Sequence, residues 1–306
     1  MIHALSHVLP VVLLIASLVT GPAAGETRTI TTERDDLERH YMLTVPKGLS
    51  GPAPLVVAVH GLLEDGSSMR DHLARGRLDV FAEQYGFVVA YPSAWGRVWN
   101  IGEGVGAERL RPQRDDLAYL DWMMADIRKR AEIDPRRIFL VGFSQGGMIG
   151  FSYACKRPGL FRAVATVASQ LPELLADDCT RRPPHGVLMI HGSDDRVVPY
   201  EGGQVPSGPL ALMRLRGHDE TVQLFARLNG CSGAPETRNW DEKDDGTSVR
   251  RVGWYGCAGG RAVEGYRIEG AGHRWPNGGP IQPITGDTTR EIDGTAAVWS
   301  FFSRFR

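Results

Sequence analysis

The chain has 306 residues, of which 42% are hydrophobic and 23% charged, and its formal net charge is −1. This composition is ordinary for a globular protein with a sizeable core, and it argues against a nucleic acid or an anionic membrane surface as partner. The length suits one large domain or two ordinary ones.

The N-terminal segment contains an uncharged apolar run over residues 8–20, followed by small residues up to Gly25. A run of 13 residues is too short to span a bilayer, which takes about 20, but it suits the core of a signal peptide. We predict a signal peptide over 1–25, cut after Gly25, and a secreted or periplasmic protein without stable membrane insertion. No Lys or Arg precedes the run, and a buried N-terminal helix is the alternative.

Short apolar runs alternate with helical patterns along the rest of the chain. Residues 27–46 predict two antiparallel edge strands. Continuous apolar runs predict strands buried on both faces of a parallel sheet at 54–61, 86–93, 137–144, 161–169 and 186–193. Helical patterns cover 115–133, 145–157, 219–230 and 294–305. The alternation indicates an α/β fold, with a doubly wound, mostly parallel sheet, helices on both faces, and a single domain over 26–306.

A Gly-x-Ser-x-Gly motif, GFSQG at 142–146, lies between a predicted strand and a predicted helix. Strand, motif and helix together are typical of a nucleophile elbow, in which a strained turn exposes the serine hydroxyl at the end of a sheet. A side chain at Gly142 or Gly146 would collide with neighbouring backbone, and Gly147 allows the helix to pack close to the sheet. We predict that Ser144 is a nucleophile; an ordinary serine in a glycine-rich loop is the alternative.

A serine nucleophile needs a base, and in this arrangement the order along the chain is serine, acid, histidine. Of the nine histidines, only His218 and His273 follow the next strand and its acidic residues. His273 lies in a Gly-flanked loop after the apolar run 262–268, where such a base is expected. His218 precedes a helix and is expected at the surface, with Asp219 capping that helix. The prediction is therefore that His273 is the base.

The candidate acids, Asp194 and Asp195, directly follow the predicted strand 186–193. The pattern His-Gly-x-x-Asp-x-x-Val-Pro favours Asp195, which leaves Asp194 to face solvent or to support the turn. We predict that Asp195 orients the base.

Acyl attack on an ester generates an oxyanion, which backbone N–H groups stabilise. We expect one donor at Gln145, directly after the nucleophile, and the other at Leu62, where Gly61 lets the chain turn after a strand. His60 precedes the serine in the chain, so we expect it to be a structural histidine that hydrogen-bonds this loop.

Four cysteines, Cys155, Cys179, Cys231 and Cys257, permit three disulfide connectivities. Pairing of sequence neighbours, Cys155 with Cys179 and Cys231 with Cys257, is the simplest; four buried free thiols are the alternative. No Cys-x-x-Cys spacing is present, which argues against a zinc site.

Several motifs together resemble one family of secreted esterases, the polyhydroxybutyrate depolymerase-like proteins, which are related to feruloyl and acetyl-xylan esterases. The motifs are VVAVHG, WN, DDLAYL, DPRRIFLVGFSQGGM, HGSDDRVVPY, NGC and GAGHRWPNG. The resemblance covers residues 40–304 and implies an α/β-hydrolase fold, no metal or organic cofactor, two disulfides, and a triad of Ser144, Asp195 and His273. The chain departs from many relatives between 100 and 112, where cysteines are expected.

These features predict a secreted carboxylic-ester hydrolase that acts through an acyl-serine on a small or polymeric ester. Aromatic residues near the predicted site, Trp95, Trp99 and Trp275, are candidates for contacting a bulky substrate, or they pack the loops. Two alternatives stay open: a serine peptidase of the same fold, and a non-catalytic polymer- or sugar-binding relative. The sequence does not indicate an oligomeric state.

Overall fold

The computed structural model describes residues 25–34, 36–101, 114–181, 183, 185–206, 208–211, 213–279 and 285–305. The predicted signal peptide, apart from Gly25, and most of the unusual stretch 100–112 lie outside the described residues. Among these described ranges, no helix is both long enough and apolar enough to cross a bilayer.

Ten strands form one mixed sheet in the described part of the chain, in the order β1-β2-β4-β3-β5-β6-β7-β12-β11-β10. The strands are β1 Glu26–Arg34, β2 Leu37–Val45, β3 Ala53–Val59, β4 Val88–Pro92, β5 Ile133–Phe143, β6 Ala163–Val167, β7 Gly186–Gly192, β10 Glu236–Trp240, β11 Ser248–Cys257 and β12 Arg261–Glu269. Strands β4, β3, β5, β6, β7 and β12 run parallel, and antiparallel pairs flank them on both sides. The short strands β8 Gly203–Gln204 and β9 Arg214–Leu215 pair separately.

Helices cover both faces of this sheet. They are α1 Arg77–Tyr85, α2 Asp116–Arg130, α3 Gln145–Lys156, α4 Ala176–Arg181, α5 His218–Leu228 and α6 Gly294–Phe302. Successive residues of β3 separate the two layers, since Val57 packs with the cluster that includes α2, α3 and α5, whereas Val56 packs with the cluster that includes α1 and α6. Period-two alternation with apolar residues on both faces is the reason that the central strands read as continuous apolar runs.

The sequence-predicted fold class is confirmed by the structure, as are the five parallel strands, the edge pair β1–β2 and four of the helices. Unpredicted elements are the strands β8, β9, β10 and β11 and the helices α1 and α4. Strand β11 alternates between buried residues such as Val249 and exposed ones such as Arg250. In an antiparallel strand near the sheet edge, only one face is covered by other parts of the protein. Strand β11 therefore has no continuous apolar run.

Two disulfides join sequence neighbours, Cys155 to Cys179 and Cys231 to Cys257. The first links α3 to α4, and the second links the end of α5 to the end of β11. The simplest predicted connectivity is therefore the one in the structure.

The double variant Cys231→Ser/Cys257→Ser should be less stable than wild type by about 3 kcal/mol. The bridge lowers the conformational entropy of the unfolded chain, and closing a loop of this size is worth about that much. Urea unfolding at equal slope measures the change, with untreated wild type as the reference. Wild-type stability in the double variant would show that this bridge contributes nothing.

Candidate active site

Ser144 occupies a one-residue turn between β5, which ends at Phe143, and α3, which begins at Gln145. Its backbone angles are φ 53° and ψ −123°, a conformation that non-glycine residues rarely adopt and that costs about 1–3 kcal/mol. The Ser144 N–H donates to the carbonyl oxygen of Val167 on the adjacent strand at 2.9 Å. The surrounding structure therefore holds a strained serine at the carboxyl end of the sheet.

Glycines on either side of Ser144 make this turn possible. A Cβ on Gly142 would lie 2.2 Å from the carbonyl oxygen of Gly146, and a Cβ on Gly146 would lie 2.3 Å from that of Val59. A Cβ on Gly147 would lie 2.5 Å from Ser169 Oγ, next to β6. These approaches confirm the predicted reasons for the three glycines.

Asp195 and His273 form a buried pair beside this turn. Asp195 Oδ2 lies 2.7 Å from His273 Nδ1. Asp195 Oδ1 accepts hydrogen bonds from the N–H groups of Val197 at 2.9 Å and Val198 at 2.7 Å. Burial alone would raise the pKa of the Asp195 carboxyl, but the charge of His273 and the hydrogen bonds from the neighbouring histidines outweigh it and hold that pKa well below its usual range. Asp195 is therefore an anion at neutral pH.

The loops that carry the two residues follow β7 and β12, which are neighbouring parallel strands. Asp194 is exposed, in keeping with its expected position, and its N–H donates to the carbonyl oxygen of Ala271 at 3.0 Å. The His273 ring packs 5.0 Å from the ring of Phe143, the residue before Ser144. The structure therefore brings Ser144, Asp195 and His273 to one end of the sheet.

A second histidine contacts the acid, and the sequence analysis missed it. His191 Nε2 lies 3.1 Å from Asp195 Oδ2 and 2.9 Å from the carbonyl oxygen of Val198. The signal was present, since His191 begins the His-Gly-x-x-Asp motif that singled out Asp195. Its side chain is fully buried. We take it to hold the carboxylate in place.

The expectation that His218 lies at the surface is wrong. Its ring is buried against those of Tyr200 and His191, and burial holds the pKa of His218 well below its usual value. Asp219 does not cap α5 either, because Gly217 is the N-cap and Asp219 accepts a hydrogen bond from Tyr200 at 2.6 Å. The apolar face of α5 packs on β7 and β12 and carries His218 inward with it.

Three of the four amide groups in the turn Gly61–Glu64 have acceptors. Gly61 N–H donates to Glu64 Oε2 at 2.8 Å, Leu63 N–H to the carbonyl oxygen of Arg97 at 2.8 Å, and Glu64 N–H to that of Gly61 at 3.4 Å. No acceptor among the described residues pairs with Leu62 N–H, nor with Gln145 N–H at the start of α3. These are the two amides expected to face an oxyanion.

His60 supports this turn, as predicted from its position in the chain. Its Nε2 accepts from the N–H of Ala94 at 2.9 Å, so the ring is neutral and its Nδ1–H donates to the carbonyl oxygen of Gly61 at 2.6 Å. Burial lowers the pKa of His60 to about 4. The indole of Trp99 lies over the His60 ring and donates to its carbonyl oxygen at 3.0 Å.

Trp99 is held in turn by the side chain of Gln145. Its N–H donates to Gln145 Oε1 at 3.0 Å, and its carbonyl oxygen accepts from Gln145 Nε2 at 3.2 Å. Trp99 and Trp275 are 1% and 2% exposed, so both pack the loops, whereas Trp95 is partly exposed. The Arg114 guanidinium lies 5.9 Å over the Trp95 ring. No cluster of ligands that could hold a metal ion occurs among the described residues.

Comparison with known proteins finds similarity to proteins of one fold. A family model described as alpha/beta hydrolase fold matches residues 104–188. A protein of Nocardia uniformis subsp. tsuyamanensis named as an esterase, NocK, is 29% identical over 259 residues, covering 78% of this chain and 71% of that protein. Feruloyl esterase B of Piromyces equi is 27% identical over 246 residues, covering 77% of this chain but only 42% of that enzyme.

The acetyl xylan esterase from Aspergillus awamori superposes with a TM-score of 0.61 at 18% identity, covering 92% of this chain and 100% of that one. The chain has the α/β-hydrolase fold. The expected resemblance to esterases is confirmed, since curated relatives of this chain are named esterase and feruloyl esterase.

Because His60 is neutral and buried, we predict that it affects the stability of the folded protein in acid. The pKa of His60 is about 4 in the folded protein, against an ordinary value of 6.5 for histidine. As pH falls below 6.5, the unfolded chain therefore binds a proton at His60 that the native chain does not bind. The His60 contribution to stability is present above pH 6.5 and is lost as pH falls toward 4. Equilibrium unfolding of wild type and His60→Gln between pH 7 and 4 should show a loss smaller in the variant, by on the order of 3 kcal/mol.

His72→Gln, at an exposed histidine, is the matched control and should follow wild type. Parallel pH dependences for wild type and His60→Gln would rule out this role of His60.

Proposed function

We propose that this α/β hydrolase is a secreted carboxylic-ester hydrolase with Ser144, His273 and Asp195 as its catalytic triad. The observation that carries the proposal is the 2.7 Å contact between Asp195 and His273 beside a serine held at φ 53°. Strain of this kind is retained where a side chain must be presented to a substrate.

In the proposed mechanism His273 Nε2 takes the proton from Ser144 Oγ as the oxygen attacks the ester carbonyl. Asp195 accepts the Nδ1–H of His273, which selects the tautomer with a free Nε2 and stabilises the imidazolium that forms. The proton then passes to the departing alcohol, leaving an acyl-serine. Water attacks the acyl-serine with His273 again as base, and the acid is released. The residues supply all the proton transfers, so the proposal involves no metal or cofactor.

The negative oxygen formed in each addition is proposed to lie between the N–H groups of Leu62 and Gln145. Both donors belong to rigid backbone, because hydrogen bonds fix the other amides of the Gly61 turn and Gln145 begins α3. Preorganised donors of this kind each contribute about 10²–10³ to kcat.

The proposed substrates are esters of a hydroxycinnamic, acetic or hydroxyalkanoic acid on a polymer or on a fragment of one. Curated relatives named feruloyl esterase and the motif resemblance to polyhydroxybutyrate depolymerases support this class. The partly exposed ring of Trp95 offers a surface for a bulky group. Export through the predicted signal peptide, leaving one domain over 26–306, agrees with two disulfides and with a polymeric substrate outside the cell.

Ser144→Ala should lower kcat for p-nitrophenyl butyrate by about 10⁶ without unfolding the protein, because the nucleophile is lost while the turn remains. Ser303→Ala, at an exposed serine beyond α6, is the control and should keep full activity. Substantial turnover by Ser144→Ala with a wild-type circular dichroism spectrum would exclude Ser144 as the nucleophile.

Asp195→Asn should lower kcat by about 10⁴, since an amide can no longer select the productive histidine tautomer. The adjacent Asp194→Asn removes one exposed carboxylate and should change kcat by less than about threefold. The reverse ranking of the two variants would transfer the role of the acid to Asp194.

Initial rates on methyl ferulate, acetylated xylan, a hydroxybutyrate oligomer and a peptide p-nitroanilide would identify the substrate class. The proposal predicts turnover of at least one ester far above that of the peptide. Faster cleavage of the amide would make the protein a peptidase, and the absence of turnover and of fluorophosphonate labelling would make it a non-catalytic relative.

A further inference from the structure

Glu64 is an acidic residue at the active site to which the triad assigns no role. Its Oε2 accepts the Gly61 N–H at 2.8 Å, and its own N–H donates to the Gly61 carbonyl oxygen at 3.4 Å. The turn Gly61–Glu64 is therefore closed both through main chain and through a side chain. Leu63, inside this turn, has φ 62°, a left-handed conformation. Such a conformation persists only where the surrounding contacts hold it, and the bond from Gly61 to Glu64 is one of them.

The Glu64 carboxylate is also near the reacting groups. The point where a Cβ on Gly61 would lie is 2.9 Å from Glu64 Oε2 and 3.2 Å from the Cβ of Ser144. Burial raises the pKa of Glu64, while the hydrogen bond from Gly61 and the charge of His273 act in the opposite direction. The same point on Gly61 would lie 3.2 Å from the Phe143 ring, which packs 5.0 Å from the ring of His273.

We propose that Glu64 is a positioning residue for the ester hydrolysis proposed above, holding the Gly61 amide so that Leu62 N–H faces Ser144, and stabilising the His273 imidazolium as a second carboxylate besides Asp195. The first effect acts through the turn. Without the Glu64 acceptor, the turn would lose the hydrogen bond that fixes the Gly61 amide. The direction of the neighbouring Leu62 N–H would then be less well defined. The second effect is electrostatic and needs the charge of Glu64 rather than its shape.

Two other charged groups face Glu64, Asp65 and Arg97. Burial opposes ionisation of Asp65, but hydrogen bonds from Ser67 and Ser68 and the charge of Arg97 outweigh it and lower the pKa of Asp65 to about 2. Arg97 Nη2 lies 3.7 Å from Asp65 Oδ2. Asp65 is therefore paired with Arg97, whereas the Glu64 carboxylate is paired with the Gly61 amide.

The two effects separate in two variants. Glu64→Gln keeps a carbonyl oxygen that can accept the Gly61 N–H but removes the charge, whereas Glu64→Ala removes both. Because only neutral His273 can act as a base, and a nearby carboxylate favours the imidazolium, loss of the charge should move the acid limb of the kcat/KM profile to lower pH. The expected movement is about 0.5–1 pH unit in both variants.

Glu64→Ala should in addition lower kcat about 10²-fold at the pH optimum with KM little changed, because oxyanion contacts are made in the transition state. Glu64→Gln should recover most of that loss in kcat while still showing the shifted acid limb. A residue with a merely structural role would show no such pH shift when a similar side chain replaces it. Asp65→Asn removes one charge from the same loop without touching Gly61 and should move the acid limb by less than half as much.

An acid limb in Glu64→Gln that coincides with wild type would overturn the electrostatic role, and equal kcat in the Gln and Ala variants would overturn the positioning role. If Glu64→Ala does not fold, Glu64→Leu, which also lacks an acceptor for Gly61 N–H, replaces it in the comparison with Glu64→Gln. Fluorophosphonate labelling keeps this outcome distinct from failure of the proposed function. If Ser144 of the wild-type protein is labelled and the Glu64 variants keep the wild-type kinetics, only the role of Glu64 is rejected. If another residue is labelled instead of Ser144, the proposed triad is rejected.

Discussion

The contact between the backbone of α3 and the carbonyl groups that end β3 is the constraint on which the active-site end of the sheet depends. A Cβ on Gly146 would lie within 2.5 Å of the carbonyl oxygens of both Val59 and His60. Only a glycine permits this approach, and the approach places the strained Ser144 beside the turn at Gly61. The same two strand ends therefore supply the candidate nucleophile and the two candidate oxyanion donors.

Two buried side chains, His60 and Gln145, maintain that geometry through paired hydrogen bonds. His60 stays neutral and satisfies one acceptor and one donor of the loops around it, and Gln145 pairs both ends of its amide with the backbone of Trp99. A buried polar group without partners would destabilise the fold, so each of these contacts also fixes the register of a loop. The outcome is a set of loops held by directional bonds around a site that must not rearrange as charge develops.

The proposed acid of the triad, Asp195, is stabilised in the same way. Asp195 receives two main-chain amides on one oxygen and two histidines on the other, so its charge is stabilised although it is buried. That stability makes Asp195 suitable to orient His273 and unsuitable to take its proton. Glu64 differs, since burial raises its pKa and it approaches the site from the oxyanion side.

Sequence reasoning predicted the fold correctly because apolar runs are a local pattern. It also singled out Ser144, Asp195 and His273, which the structure brings to one end of the sheet, from glycines around a turn and from the order of residues along the chain. It missed His191 and Glu64, and it placed His218 at the surface, because their surroundings are assembled from distant segments. His218 is buried by β12, nearly 50 residues further along the chain, and no local pattern signals that. Strand β11 escaped notice for the related reason that a half-exposed strand has no continuous apolar run.

The central claim is that Ser144 carries the acyl group during turnover. Acid quenching of the reaction with p-nitrophenyl acetate within the first turnovers, followed by peptide mass spectrometry, tests it directly. The account predicts one acetyl group on the peptide that contains Ser144, and none on that peptide in Ser144→Ala. An acetyl group on a different residue, or turnover with no acetylated peptide at any time, would contradict the account.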